Sequence, residues 1–242
     1  MRFLASGVAP GGRGRTLHLG AGHVFISGGA DRTDRAVIRE VFELGLYLTA
    51  YRDAIVVDIG AHKGYFGAYA LLKGARRVVS YEPASQNFSR LEQSAASFRG
   101  SGRRWDVHRA AVTADGRPVE LRLSPESWAH RIVPAAGAVA SRAEAIDSVA
   151  FADVIASVRE ETPSGRLIVK VDAEGSECEI VLQTPESVWS LVDELFVETH
   201  EFASCSGSDL EDQLGAFGLV VVRHESQVLH AERAAGERPA PR

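Results

Sequence analysis

Ile55-Val56-Val57-Asp58-Ile59-Gly60-Ala61-His62-Lys63-Gly64-Tyr65-Phe66-Gly67 is the stretch that decides how this chain reads. It opens as an apolar run rich in β-branched residues, the composition of a strand buried on both faces in a parallel sheet. The run is broken by Asp58, and glycines follow. An apolar segment with helical potential then continues from Tyr65 to Leu72 and stops at Gly74. A strand, a glycine turn and a helix in that order bring backbone close to a ligand. They do so at the carboxyl end of a strand, where open α/β sheets bind ligands.

The dinucleotide fingerprint G-x-G-x-x-G is not met, because His62 stands where its second glycine should be. The pattern is Asp58-x-Gly60-x-x-x-Gly64, with an acid at the strand end. A pyrophosphate would prefer bare N–H groups and a helix dipole. A carboxylate suits a ligand carrying an ammonium group and hydroxyls, and S-adenosylmethionine fits. The next strand, Arg77-Val78-Val79-Ser80-Tyr81-Glu82-Pro83, also ends in an acid, and Pro83 prevents its continuation. An acid at the end of the second strand of a nucleotide-binding sheet takes ribose hydroxyls as a two-acceptor carboxylate. Glu82 is read as that residue.

Val57-Asp58-Ile59-Gly60-Ala61-His62-Lys63-Gly64 and Tyr81-Glu82-Pro83 resemble the first two signatures of class I S-adenosylmethionine-dependent methyltransferases. A third stretch, Leu167-Ile168-Val169-Lys170-Val171-Asp172-Ala173-Glu174-Gly175-Ser176-Glu177, narrows the likeness. It resembles the "IK-ID-EG-E" block of the FkbM family, named after a macrolide O-methyltransferase. The resemblance runs from about Asp34 to about Arg223, and the third block is its most specific part. The chain departs from it at His62, where the family commonly carries asparagine.

The resemblance implies a doubly wound, Rossmann-like α/β fold. Its sheet would have seven mostly parallel strands and close on a C-terminal antiparallel hairpin. It implies S-adenosylmethionine as cofactor, with contacts from Asp58, Gly60, Ala61, Gly64, Glu82, Asn87, Ala111 and Asp172. It also implies O-methylation of a hydroxyl or carboxyl on a small molecule, such as a specialised metabolite or sugar.

The remaining elements follow from periodicity. Asp31 to Leu48 reads as an amphipathic helix with Val37, Val41, Leu44 and Leu48 on one face, capped by Asp31 or Thr33. A helix is expected over 85–98, then one strand over 105–112, with Ala110 and Ala111 small enough to flank a flat ring. Val119 to Leu123 alternates as a strand, and Ser124 to Pro134 reads as a loop holding Ser127, Trp128, His130 and Arg131. Phe151, Val154, Ile155 and Val158 mark a helix. Leu167–Val171 and Glu194–Glu198 are further core strands. Ser208-Asp209-Leu210-Glu211 is read as a capping box, and 219–223 with 228–232 as a closing hairpin. One domain over 31–233 is expected, with a segment 1–30 covering the site or mobile and a disordered tail over 234–242.

The 242 residues are 45% hydrophobic and 24% charged, ordinary for one globular domain. The net charge of −5 argues against a nucleic-acid partner and leaves a small-molecule substrate. A homodimer is one assembly open to the chain. No apolar run is long enough to span a bilayer, and residues 1–10 do not resemble a signal peptide. The two cysteines, Cys178 and Cys205, form no C-x-x-C, so neither a zinc site nor a disulfide framework is expected and a reducing cytoplasm is the simplest compartment.

Methyl transfer needs an aligned acceptor and a place for its proton. Lys170 is one of only three lysines and sits inside an apolar strand, two residues from Asp172 on the same face. This predicts an ion pair that fixes the strand end or orients the acceptor. His200, following Glu198, is the natural general base. The expected catalytic set is therefore His200, Asp172 and Lys170. A dedicated metal site is not expected, although Asp172, Glu198 and His200 could converge on a divalent ion as the less favoured alternative. Two rivals remain at this point. One is an NAD(P)-dependent oxidoreductase with a degenerate glycine turn; the other is a non-catalytic, methyltransferase-like binding protein.

Overall fold

A computed structural model describes residues 14–18, 23–27, 32–122, 131–134, 143–200 and 204–234. Two short strands, β1 (Gly14–His18) and β2 (His23–Ser27), pair antiparallel and lead to α1 (Arg32–Phe42). Strands and helices then alternate: β3 (Ile55–Ile59), α2 (Tyr65–Leu72), β4 (Arg77–Tyr81), α3 (Ser85–Ser97) and β5 (Arg104–His108). Five short strands come next: β6 (Ala111–Thr113), β7 (Val119–Arg122), β8 (Arg131–Pro134), β9 (Ala143–Ile146) and β10 (Ser148–Ala150). The chain resumes with α4 (Phe151–Glu161), β11 (Leu167–Val171), α5 (Glu177–Gln183), α6 (Glu186–Trp189) and β12 (Glu194–Glu198). It closes with α7 (Gly207–Ala216), β13 (Leu219–Glu225) and β14 (Val228–Arg233).

The main sheet has seven strands in the order β13-β14-β12-β11-β3-β4-β5. Neighbours from β12 to β5 are parallel, and β14 runs antiparallel to β12 and β13. Counted in chain order within this sheet, the arrangement is 3-2-1-4-5-7-6 with the seventh strand reversed. This is the mostly parallel seven-stranded sheet with a closing antiparallel hairpin that the sequence predicts. Its order reverses between β3 and β11, which opens a crevice at the carboxyl ends of those strands.

Every residue of β3, β4 and β11 is buried, as a strand covered on both faces requires. One core packs Phe151, Val154 and Ile155 of α4 with Trp189 and Leu214 against one face. A second packs α2 with Tyr47, Tyr51 and Phe98 against the other. Helix α2 is buried along nearly its whole length because α1 covers its outer side.

Several expectations are corrected. Helix α1 ends at Phe42, six residues earlier than read, and Gly45 turns the chain with φ 74°. Leu46 and Tyr47 thereby enter the core, while Leu44 and Leu48, expected inward, are exposed. The strand expected over 105–112 breaks at Arg109-Ala110, and β6 leaves the main sheet to pair with β10. Strands β8 and β9 flank β7 in a three-stranded sheet, so the loop read over 124–134 ends as a strand. Ser127, Trp128 and His130 lie outside the described residues, as do 235–242 of the expected tail. The N-cap of α7 is Ser206, not Ser208: its hydroxyl accepts the Asp209 N–H, and the Asp209 carboxylate accepts the Ser206 N–H.

The largest correction is covalent. Cys178 and Cys205 form a disulfide with a Cα–Cα distance of 5.7 Å. The absence of a C-x-x-C pattern concealed it, because the partners lie 27 residues apart and the fold brings them together. Cysteine usage therefore no longer supports a reducing compartment. Among the described residues no helix is long and apolar enough to cross a membrane.

Candidate active site

A cavity of about 900 Å³, counting its open mouth, lies at the carboxyl ends of β3, β4, β11 and β12. Its floor is the turn after β3. A Cβ on Gly60 would lie 1.7 Å from the Asp172 carbonyl oxygen, and its φ of 74° is a left-handed conformation. Only glycine lets β3 and β11 approach this closely. The Gly60 and Ala61 N–H groups both donate to the Tyr81 carbonyl at 3.0 Å, tying the turn to β4. Gly60 and Ala61 line the cavity. Gly64 is not among the lining residues; a Cβ there would meet the side chains of Leu91 and Trp105 at 2.9 Å, which makes it a packing glycine.

Glu82 lines the cavity and is 5% exposed. Its carboxylate accepts the His62 N–H at 2.8 Å and the Ala84 N–H at 2.9 Å. His62 reaches this position with φ 52°, the turn conformation that suits asparagine or glycine better. The Asn87 side chain also hydrogen-bonds Glu82. Burial still pushes the Glu82 carboxyl up to about 7, against the pull of those donors. A carboxylate offers about four acceptor positions, so one fixed in this way retains capacity for a diol. Asn87 and Ala111 are both at the cavity wall, and Ala110, Val112 and Leu121 extend the apolar side.

Asp58 does not reach the cavity. It is fully buried, with Ser80 Oγ donating to it at 3.3 Å and Lys170 Nζ 3.7 Å away. Burial pushes its carboxyl up to about 6. Lys170 lies between Asp58 and the cavity, 2.9 Å from Asp172 Oδ2 and 3.3 Å from the Gly60 carbonyl. Burial alone would lower the Lys170 ammonium. The Asp172, Asp58 and Glu198 carboxylates outweigh that and hold it well above its usual value. Asp172 shows the converse: burial opposes its ionisation, yet Lys170 and His200 keep it below the usual carboxylate range.

The end of the cavity beyond Lys170 is acidic, lined by Glu40, Asp172, Glu174 and Glu198. Burial, together with Asp172 and Glu40, pushes Glu198 up to about 10. Glu40 comes from α1 and accepts the Tyr47 hydroxyl at 2.8 Å. Helix α1 is secured over the site by Asp34, which accepts from Lys63 Nζ at 2.6 Å and from the Tyr65 hydroxyl at 2.8 Å. The sequence signalled neither Glu40 nor Asp34 as functional, because each lies on a helix far from any motif. The only available signal was an acid at either end of an otherwise apolar helix face.

His200 is not among the lining residues. Its Nδ1 lies 3.2 Å from Glu177, and its Nε2 lies 3.6 Å from Glu174 and 3.8 Å from Glu198. Burial alone would lower it, but Glu177, Asp172 and Glu174 raise it to about 9. Glu177 also accepts the Ala173 and Gly175 N–H groups at 2.9 Å, closing the loop after β11 as a cap. Asp172, Glu174 and His200 each place one ligand atom within 4.8 Å of the others, an oxygen and imidazole set that suits a divalent ion. Glu198, expected in that set, is replaced by Glu174.

No family model and no curated protein matches the sequence. Among solved structures, the chain is similar to a Pyrococcus horikoshii protein assigned as an RNA methyltransferase (14% identity, 86% of each chain, TM-score 0.46). It is similar to the ribosomal protein L11 methylase of Lactobacillus delbrueckii (12% identity, 86% of this chain and 83% of that one, TM-score 0.44). It is also similar to the magnesium protoporphyrin IX methyltransferase of Synechocystis, solved with S-adenosylmethionine bound (13% identity, 83% and 77%, TM-score 0.41).

Proposed function

We propose that this chain is an S-adenosylmethionine-dependent methyltransferase acting on a hydroxyl or carboxyl group of a small molecule, as its resemblance to the FkbM family implies. The observation that carries the reading is Glu82. It is a buried carboxylate fixed by two backbone N–H groups, at the wall of a cavity on the carboxyl edge of a 3-2-1-4-5-7-6 sheet. The residues present fit the cofactor. Glu82 would take the ribose hydroxyls, with Asn87 supporting it. Ala110 and Ala111 offer a flat wall for the adenine, and Asp172 offers a carboxylate for its charged end. Bound S-adenosylmethionine would supply an electrophilic methyl group.

The chain's own task is to hold the acceptor and take its proton. A base must be unprotonated at working pH and within reach of the cavity. His200, which keeps its proton to about pH 9 and stands behind Glu174, meets neither condition as placed. Asp172 meets both. Lys170 orients its carboxylate from one side, and Glu198 hydrogen-bonds it on the other. In this reading Asp172 receives the hydroxyl proton, Lys170 and Asp58 position it, and His200 neutralises the surrounding carboxylates. The acidic net charge favours a small-molecule acceptor over a nucleic acid.

A thermal-shift comparison of S-adenosylhomocysteine, NAD and NADP tests the reading. Stabilisation by the first alone is expected. Stabilisation by either dinucleotide in its place would support an oxidoreductase and end this proposal.

A further inference from the structure

Within the cavity just described, the acids gather at one end. Glu40, Asp172, Glu174 and Glu198 line it, and Lys170 is the only lysine or arginine among the described lining residues. The positive charge of Lys170 is engaged on the cavity floor, between Asp172 at 2.9 Å and Asp58 at 3.7 Å, and that of His200, outside the lining, faces Glu174 and Glu198 at 3.6 and 3.8 Å. Glu40 is the one of these acids delivered by α1 instead of the sheet. Its orientation is fixed: the Tyr47 hydroxyl donates to it at 2.8 Å, and Tyr47 is itself 1% exposed. The Tyr47 carbonyl accepts the Tyr51 hydroxyl at 2.7 Å, and its ring packs on Phe66 and Phe196 at 5.1 and 5.5 Å. Val37 and Val41, from the same helix, present apolar surface beside Glu40.

Carboxylates brought together out of water are stabilised by hydrogen-bond donors or by positive charge, and a further carboxylate raises the cost. We propose that Glu40 is a specificity-determining residue of this site, admitting acceptors whose reacting end is neutral or cationic, a hydroxyl or an amine, and excluding those that bear a carboxylate there. The proposal rests on the cofactor reading above and narrows it, since it removes carboxyl groups from the acceptors the family resemblance allows.

The test uses two cofactor analogues. S-adenosylhomocysteine is uncharged at sulfur. Sinefungin carries an ammonium group where the transferable methyl would be. Calorimetry on the full chain should show sinefungin binding more tightly than S-adenosylhomocysteine, and Glu40→Gln should reduce that preference by about tenfold while S-adenosylhomocysteine affinity stays within about twofold. Glu40→Asp, which keeps the charge, should restore most of the preference. A preference unchanged in Glu40→Gln overturns the proposal. Failure of the folded wild type to bind either analogue overturns the cofactor reading, and this proposal with it. A charge-balanced fragment screen on protein saturated with S-adenosylhomocysteine gives an independent readout. Neutral and cationic fragments should dominate the hits, and Glu40→Gln should begin to admit carboxylates. Predominantly carboxylate hits on the wild type would contradict the assignment.

Discussion

The Asp172 carbonyl oxygen stands where a side chain on Gly60 would begin: a Cβ there would be 1.7 Å from it. This contact sets the distance between β3 and β11, and with it the position of Lys170 relative to Asp172 and Asp58. Gly60→Ala has to move backbone and to adopt φ 74°. It should cost more than about 3 kcal/mol, beyond the usual range of single substitutions. Denaturant unfolding would measure this, and a loss below about 1 kcal/mol would show that the strands separate easily.

The glycine turn, both strand-end acids and the alternation of strands with helices were legible in the sequence because each is a local pattern. β-Branched runs, punctuating glycines and an acid before a proline need no tertiary information. Placement was not legible. Asp58 and Glu82 look equivalent in sequence, yet Lys170 covers Asp58 while the His62 and Ala84 amides present Glu82 to the cavity. Gly60 and Gly64 look like one motif, yet one lets two strands approach and the other makes room for Trp105. The disulfide and the Glu40–Tyr47 pair join segments whose proximity only the fold creates.

The titrating groups make stability depend on pH in a definite direction. Glu82, Asp58 and Glu198 all have raised carboxyls, at about 7, about 6 and about 10. Above about pH 4, the unfolded chain releases protons that the folded chain keeps. His200, raised to about 9, acts in the same sense: its contribution is full below about 6.5 and is lost as pH rises through 9. The lowered Asp172 works oppositely, but only below the ordinary carboxylate range. The ligand-free protein should therefore melt about 10 °C lower at pH 8.5 than at pH 5.5, corresponding to a few kcal/mol. Rising stability across that interval would contradict the burial of these acids.

Protonated His200 can be observed directly. Its imidazole should titrate with a midpoint near 9 by NMR, and Glu177→Gln should lower that midpoint. A wild-type midpoint near the ordinary value of about 6.5 would return His200 to the position of candidate general base.

The disulfide joins α5, which opens with Glu177, to Cys205 between β12 and α7, on the same stretch of chain as His200. Closing a loop of this separation stabilises by about 3.5 kcal/mol in the chain-entropy account. Cys178→Ser with Cys205→Ser should lose an amount of that order. Hydrogen exchange should quicken first at Ala173 and Gly175, whose amides Glu177 holds. Unchanged stability and exchange would mean that the tether plays no part in ordering the site.

The most direct measurement is calorimetric titration of S-adenosylhomocysteine into the wild type and into Glu82→Gln across pH 6 to 8. A ribose held by the ionised carboxylate predicts one site per chain and an affinity that rises with pH through about 7, with proton release. The variant should bind more than about tenfold more weakly and lose that pH dependence. A folded wild type that does not bind, or a Glu82→Gln variant with the same affinity and pH profile, would contradict the account.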